Sequence, residues 1–117
     1  MILATEGPTE DVEVQRPTNT IAIAGHKLIL PCSSQVNNES RWDFYDLDTA
    51  TPTNIYNGNS DVNTKGRRRT LDYVGCRLKT CNLTIESVQF IDAGYYVCFE
   101  SSTTGRKAAS LVVLGKL

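Results

Sequence analysis

The chain has 117 residues, of which 40% are hydrophobic and 21% charged, values that suit one folded domain and exclude an intrinsically disordered chain. Its formal net charge of -1 provides no overall field for nucleic acid or an anionic membrane, so we expect neither as a partner. No apolar run approaches the roughly 18 residues that a transmembrane helix needs.

The chain opens with a polar segment and continues in short alternating runs. Residues 1–11 lack periodicity and contain Gly7 and Pro8, which predicts a flexible leader, with Met1 as a start residue added before a trimmed segment. From Val12 onward, apolar residues alternate with polar ones between turn clusters, as in β-strands. The predicted strands lie near residues 21–23, 28–32, 42–44, 55–56, 70–74, 82–85, 95–100 and 108–114.

This spacing predicts the fold class. No helical periodicity of ten or more residues competes with the strands. Eight or nine short strands indicate an all-β sandwich or barrel. We expect a tight connection from Gly75 to Thr80, a last hairpin that turns near Gly105, a domain spanning residues 12–114 and a tail at residues 115–117.

Four cysteines indicate the compartment. A zinc site would need paired Cys-x-x-Cys spacing or histidine partners, and His26 is the only histidine, so we expect no metal and no cofactor. Two disulfide bonds fit better, and these persist in oxidising compartments. The cysteines are Cys32, Cys76, Cys81 and Cys98.

Two N-glycosylation sequons favour the same compartment. They begin at Asn38 and Asn82, and each alone is weak evidence because such triplets occur by chance. Together with the cysteines they predict a secreted or cell-surface protein with Asn38 and Asn82 as its glycosylation sites.

The most specific signal is a motif near the last strands. Asp92-x-Gly94-x-Tyr96-x-Cys98, preceded by Leu83-x-Ile85-x-x-Val88, resembles the strand E to strand F signature of the immunoglobulin superfamily. Leu28-x-Leu30-x-Cys32 resembles strand B, Trp42 occupies the place of the strand C tryptophan, and Leu111-x-Val113 resembles strand G. The resemblance implies an immunoglobulin-like Greek-key β-sandwich.

The resemblance also implies structural roles for these residues. Cys32 and Cys98 would join the two sheets, with Trp42 packed against the sulfurs. Tyr96 would form a tyrosine corner, and Gly94 would allow a tight backbone beside it.

In the family, the aspartate of this motif pairs with an arginine at the start of strand D. For Asp92 we expect Arg69 as this partner and Arg68 as the second choice. Cys76 and Cys81 lie outside the family core, and we predict a hairpin clamp between them. A bridge to another chain or an exposed redox pair is the alternative.

The length between Trp42 and Asp92 indicates the subtype. It leaves room for the C′ and C″ strands of a V-set domain. Thr103 to Ala108 lacks the Phe-Gly-x-Gly of antibody and T-cell receptor V domains, which favours a V domain that does not rearrange. Such domains occur in innate receptors, adhesion molecules and V-domain proteins of invertebrate chordates.

Strand alternation predicts a binding face. If Tyr96 and Cys98 point inward, Val97 and Phe99 point outward together with Asp43 and Tyr45 on the neighbouring strand, and Tyr56 lies beside them. An apolar patch rimmed by charge is typical of an interface. The alternative is that neighbouring groups cover Val97 and Phe99. The predicted partner-binding residues are Val97, Phe99, Tyr45, Asp43 and Tyr56.

The predicted function is therefore recognition of a protein ligand or a second copy of the chain by an immune or adhesion receptor, through the sheet of strands G, F, C and C′. The alternatives are the V domain of a secreted chitin-binding recognition protein and a structural spacer. We expect no enzyme, because the sequence has one histidine and no paired acidic motif from which to build a catalytic group.

Overall fold

The computed structural model describes residues 17–33, 40–48, 51–57, 60–61, 68–99 and 106–115. The predicted leader at residues 1–11 lies outside these ranges. The described strands are β1 (Thr20–Ile23), β2 (Leu28–Leu30), β3 (Arg41–Asp46), β4 (Thr53–Asn57), β5 (Ser60–Asp61), β6 (Arg69–Leu71), β7 (Leu83–Ile85), β8 (Gly94–Phe99) and β9 (Arg106–Leu114). An α-helix, α1 (Tyr73–Arg77), and a 3₁₀ helix (Phe90–Asp92) complete the elements. Neither helix is long enough to cross a membrane.

The strands form two sheets. One has six strands in the order β1-β9-β8-β3-β4-β5, and the other has three in the order β2-β7-β6. The β1 strand runs parallel to β9, and all other pairs are antiparallel. The prediction of an immunoglobulin-like sandwich is confirmed, and β4 and β5 extend the β9-β8-β3 sheet as C′ and C″ do in V-type domains.

The core lies between the sheets and is built by alternating residues. Trp42 is fully buried beside its cross-strand neighbour Cys98. The Cys32–Cys98 disulfide joins the end of β2 to β8, with a Cα–Cα distance of 6.4 Å. This pairing was predicted and is confirmed. Closing a loop of 66 residues stabilises the fold by roughly 4 kcal/mol in the chain-entropy model.

A buried ion pair lies where the 3₁₀ helix meets β6. Arg68 Nη1 and Nη2 donate to the two carboxylate oxygens of Asp92 at 2.5 and 3.0 Å. This hydrogen bonding is the main cause that raises the pKa of Arg68, and the negative charge of Asp92 adds to it, whereas burial opposes it. Arg69, the expected partner, also lies within ion-pair distance of Asp92, at 3.9 Å, but Arg68, the second choice, forms the hydrogen-bonded pair. Because neighbouring strand residues face opposite ways, Arg69 instead turns into the core, with its guanidinium 4.6 Å from the ring centre of Phe44.

The start of β8 has the tight backbone that the motif implied. The Tyr96 hydroxyl donates to the carbonyl oxygen of Asp92 at 2.8 Å. Gly94 has a φ of 151°, and a Cβ at this position would collide with the carbonyl oxygen of Tyr45 and the ring of Phe44. Glycine is required here because other residues rarely adopt this conformation.

The segment between β6 and β7 differs from the sequence prediction. The predicted strand at residues 70–74 ends at Leu71, and α1 follows because the Asp72 carboxylate accepts from the Gly75 N–H at 3.1 Å and caps the helix. The Cys76–Cys81 disulfide is confirmed. It is fully buried, and the Trp42 indole N–H donates to the Cys81 carbonyl at 2.8 Å, so this clamp is joined to the core.

Candidate functional site: the outer face of the six-stranded sheet

The face of the six-stranded sheet that points away from β2, β6 and β7 is called the outer face. Tyr96 and Cys98 on β8 and Leu111 and Val113 on β9 belong to the core. The residues between them therefore point to the outer face, because side chains alternate along a strand. Register confirms this for β8 and β9, where Tyr95 lies opposite Ser110 and Val97 opposite Ala108.

Five large side chains form an apolar patch on the outer face. Ile21 lies beside Val112 and Ile23 beside Leu114 across the parallel β1–β9 pair. All four are exposed, Ile21 by 68%. Tyr95 is 52% exposed and continues the patch onto β8. The apolar patch consists of Ile21, Ile23, Tyr95, Val112 and Leu114.

Two of the predicted contact residues point to this face but are covered. Val97 is only 5% exposed and Asp43 only 2%, so the prediction that they are accessible is wrong. Arg41 Nη2 donates to Asp43 Oδ2 at 3.0 Å, and the Asn54 side chain donates to Asp43 Oδ1 at 2.7 Å. Asp43 is the register partner of Val97, so this hydrogen-bonded group lies next to Val97 on the face.

Tyr56, predicted beside the face, is instead a core residue. The pairing of β3 with β4 shifts register after Trp42, so that Trp42 pairs with Tyr56 while Asp43 pairs with Asn54. The extra residue, Ile55, forms a bulge. Tyr56 consequently shares the inward face of Trp42. Burial is the main cause that raises the pKa of Tyr56, and the positive charge of Arg77 opposes it.

The remaining predicted contact residues are partly exposed. Tyr45 is the cross-strand neighbour of Tyr95 on the outer face. The guanidinium of Arg41 lies 4.9 Å from the ring centre of Phe99, a cation–π distance. Tyr45 thus continues the apolar patch onto β3, and Phe99 lies farther along β8 beside Arg41. Asp43 and Val97 lie on the same face but are covered, and Tyr56 belongs to the core.

Of the two predicted glycosylation sites, only Asn82 lies within the described residues. Asn38 lies outside the described residues. Asn82 is partly buried, and its side-chain oxygen accepts from the Cys32 N–H at 3.1 Å. This bond leaves the amide nitrogen as the atom for a glycan, and the modification of Asn82 stays a prediction.

Sequence reasoning missed the β1–β9 part of the patch. The signal is present in Ile21-Ala22-Ile23 and in Leu111-Val112-Val113-Leu114, where apolar residues occupy positions on both sides of a strand. Such runs are typical of strands buried on both faces. Here the outer side has no covering layer within the described residues, so half of each run is exposed.

The sequence and fold were compared with known proteins. The family model for the immunoglobulin V-set domain matches residues 15–113. No curated protein matches the sequence significantly. The extracellular portion of mouse CD200RLa is similar in structure, with a TM-score of 0.67 and 21% identity over 85% of this chain. The present chain spans 56% of the length of that protein.

A second similar structure is the RIG-5 IG1 homodimer. It has a TM-score of 0.64 and 20% identity, covering 86% of this chain and 95% of its own. At these identities the two structures establish the fold, and the family model establishes the membership. The chain belongs to the immunoglobulin V-set domain family.

Proposed function

We propose that this domain recognises another extracellular protein through the outer face of the six-stranded sheet, as part of an immune or adhesion receptor. The observation that carries the proposal is the apolar patch. A cluster of exposed isoleucine, valine, leucine and tyrosine side chains costs free energy in water and is typical of a surface that another protein covers.

The contacts around the patch support this role. Tyr95 and Tyr45 supply aromatic area, which is enriched at the centres of interfaces. The Arg41 side chain is 44% exposed and lies at the rim, where it is held by Asp43. The outer face therefore combines an apolar patch with one exposed and ordered cation.

The side chains of the apolar patch favour one class of ligand over another. Aliphatic side chains favour a protein surface over a carbohydrate, whose hydroxyl groups need hydrogen-bonding partners. A second copy of the chain is one such protein ligand, and the similarity to a structure described as a homodimer makes it the first ligand to test. A spacer domain or the V domain of a secreted recognition protein is the alternative.

The experiment uses three single variants, Ile21→Asp, Tyr95→Asp and Ile29→Asp. Ile29 lies on β2, is 53% exposed and faces away from the core on the other sheet, so it is a matched control. Each variant is tested by biosensor against an array of recombinant extracellular domains that includes this chain.

The two patch variants should weaken binding to a captured ligand by roughly 30-fold, the effect of losing an interface residue worth about 2 kcal/mol. Ile29→Asp should leave the affinity unchanged. A ligand that binds both patch variants normally, or that the Ile29→Asp variant loses equally, would show that recognition occurs elsewhere. A spacer would show no dependence on the patch.

A further inference from the structure

The two ends of the sandwich carry surfaces of opposite charge. The β3 strand runs from Arg41 at one end to Asp46 at the other, and β8 runs the opposite way. The α1 helix lies near the Arg41 end. Its Cys76 is bonded to Cys81, whose carbonyl accepts from the indole N–H of Trp42, the residue next to Arg41, and whose N–H donates to the Cys32 carbonyl. The 3₁₀ helix precedes β8 and lies near Asp46. Six strand residues at about 3.3 Å each place the ends roughly 20 Å apart.

The first surface is a basic knob made of Val74, Arg77, Leu78 and Lys79. All four residues are exposed. The knob is firmly held, since Cys76 and Cys81 on either side of it are fully buried and bonded to each other. Among the described residues, neither cation of the knob forms a salt bridge.

The second surface is an acidic groove lined by Asp46, Leu47, Asp48, Phe90 and Ile91. It encloses about 270 Å³. Leu47, Phe90 and Ile91 are all more than half exposed. The backbone N–H of Asp48 donates to Asp46 Oδ1 at 2.8 Å and fixes the turn. Among the described residues, neither acid forms a salt bridge.

The knob and the groove are complementary. Each combines two charges with exposed aliphatic or aromatic groups, and the charges have opposite sign. The residues of the knob are exposed, and the groove is a concave surface. An anionic carbohydrate would engage the cations and leave Val74 and Leu78 unused, whereas the acidic groove of another molecule matches both the charge and the apolar character.

We propose that the basic knob of one copy docks into the acidic groove of a second copy. Because the two surfaces lie at opposite ends, this contact is heterologous and leaves a free knob and a free groove, so it can propagate from head to tail. Exposed charge pairs contribute little and are screened by salt, so the association is weak and strongest at low ionic strength. The contact is separate from the outer face.

Charge reversal at each end tests this contact. The first variant is Arg77→Glu with Lys79→Glu, and the second is Asp46→Lys with Asp48→Lys. Sedimentation velocity at low salt over a range of concentrations should show assemblies of the unmodified chain that grow past the dimer. Each reversed variant alone should associate roughly tenfold more weakly, because knob and groove then carry the same charge.

An equimolar mixture of the two variants should regain association, since each presents the charge that the other requires. A chain carrying all four substitutions should also regain it. Matching thermal melting curves confirm that each variant is folded. A monomer at every concentration, association that neither reversal weakens, or a mixture that does not recover would overturn the proposal.

This test is independent of the outer face. Tyr95→Asp should leave head-to-tail growth intact. The knob and groove variants should bind a ligand of the outer face with unchanged affinity. A polyanion such as heparin that binds the knob while the mixture fails to recover would assign the knob to a different ligand and contradict self-docking.

Discussion

The two sheets enclose one core, but their solvent-facing sides differ in how many large apolar side chains they expose. On the six-stranded sheet, Ile21, Tyr95 and Val112 are exposed within one patch. On the three-stranded sheet, Ile29 is the exposed large apolar residue among the described strand positions. Its neighbour Thr84 is polar, and Thr70 Oγ1 donates to Glu86 at 3.4 Å. The proposal that the six-stranded sheet recognises a protein rests on this difference.

The largest predicted effect is on stability and comes from removing the buried carboxylate of Asp92. In Asp92→Ala, the buried Arg69 and the Arg68 guanidinium lose their carboxylate, and the free energy of unfolding should fall by about 3–5 kcal/mol. Urea denaturation measures the change. Asp48→Ala, at an exposed aspartate, is the control and should cost less than about 0.5 kcal/mol. Equal effects would contradict the buried ion pair.

The next prediction separates covered from exposed positions on one face. Val97→Asp should destabilise the fold by roughly 3 kcal/mol, because it places a carboxylate without a partner in a buried position beside Asp43. Tyr95→Asp, two residues earlier on the same strand, should cost less than about 1 kcal/mol. Urea midpoints of the two variants measure the difference. A stable Val97→Asp variant would mean that Val97 is accessible after all.

Tyr95 and Tyr96 are adjacent and lie on opposite faces of the sheet, and burial of Tyr96 predicts that the free energy of unfolding depends on pH. Burial raises the pKa of Tyr96 from 10.0 to about 12. The unfolded chain therefore loses this proton first, and stability falls as pH rises from about 10 to about 12, by roughly 2 kcal/mol. Denaturation at stepped pH should show this loss, and Tyr96→Phe should reduce it while Tyr95→Phe should not.

The smallest predicted effect concerns the apolar side chains themselves. Ile21→Asp and Ile29→Asp should each change the free energy of unfolding by about 0.5 kcal/mol or less, because both side chains are exposed. Thermal melting of the two variants measures this. If the two variants are about equally stable, a difference between them in ligand binding can be assigned to the outer face. A large loss in either variant would mean that its side chain contributes to the core.

The family motif predicted the residues whose surroundings are fixed by the fold. The resemblance implied the Cys32–Cys98 pair and the inward positions of Trp42 and Tyr96, and the structure has all three. The resemblance also implied the two-sheet sandwich with added C′ and C″ strands, which the strand order contains.

Other features depend on neighbours that no single strand specifies. The bulge at Ile55 reverses the face of Tyr56 and leaves no mark in the local alternation. The burial of Val97 depends on the contacts that Arg41 and Asn54 make with Asp43. The choice between Arg68 and Arg69 depends on which of two adjacent side chains faces the 3₁₀ helix.

The most direct test of the outer face places a glycan on it. Ser110→Asn with Val112→Thr creates a sequon beside Tyr95, and Ile29→Asn with Pro31→Thr creates a matched sequon on the other sheet. Both glycosylated proteins are measured against the same captured ligand. The glycan at position 110 should abolish binding, whereas the glycan at position 29 should leave it intact. Binding that survives the glycan at position 110 would contradict the proposed face.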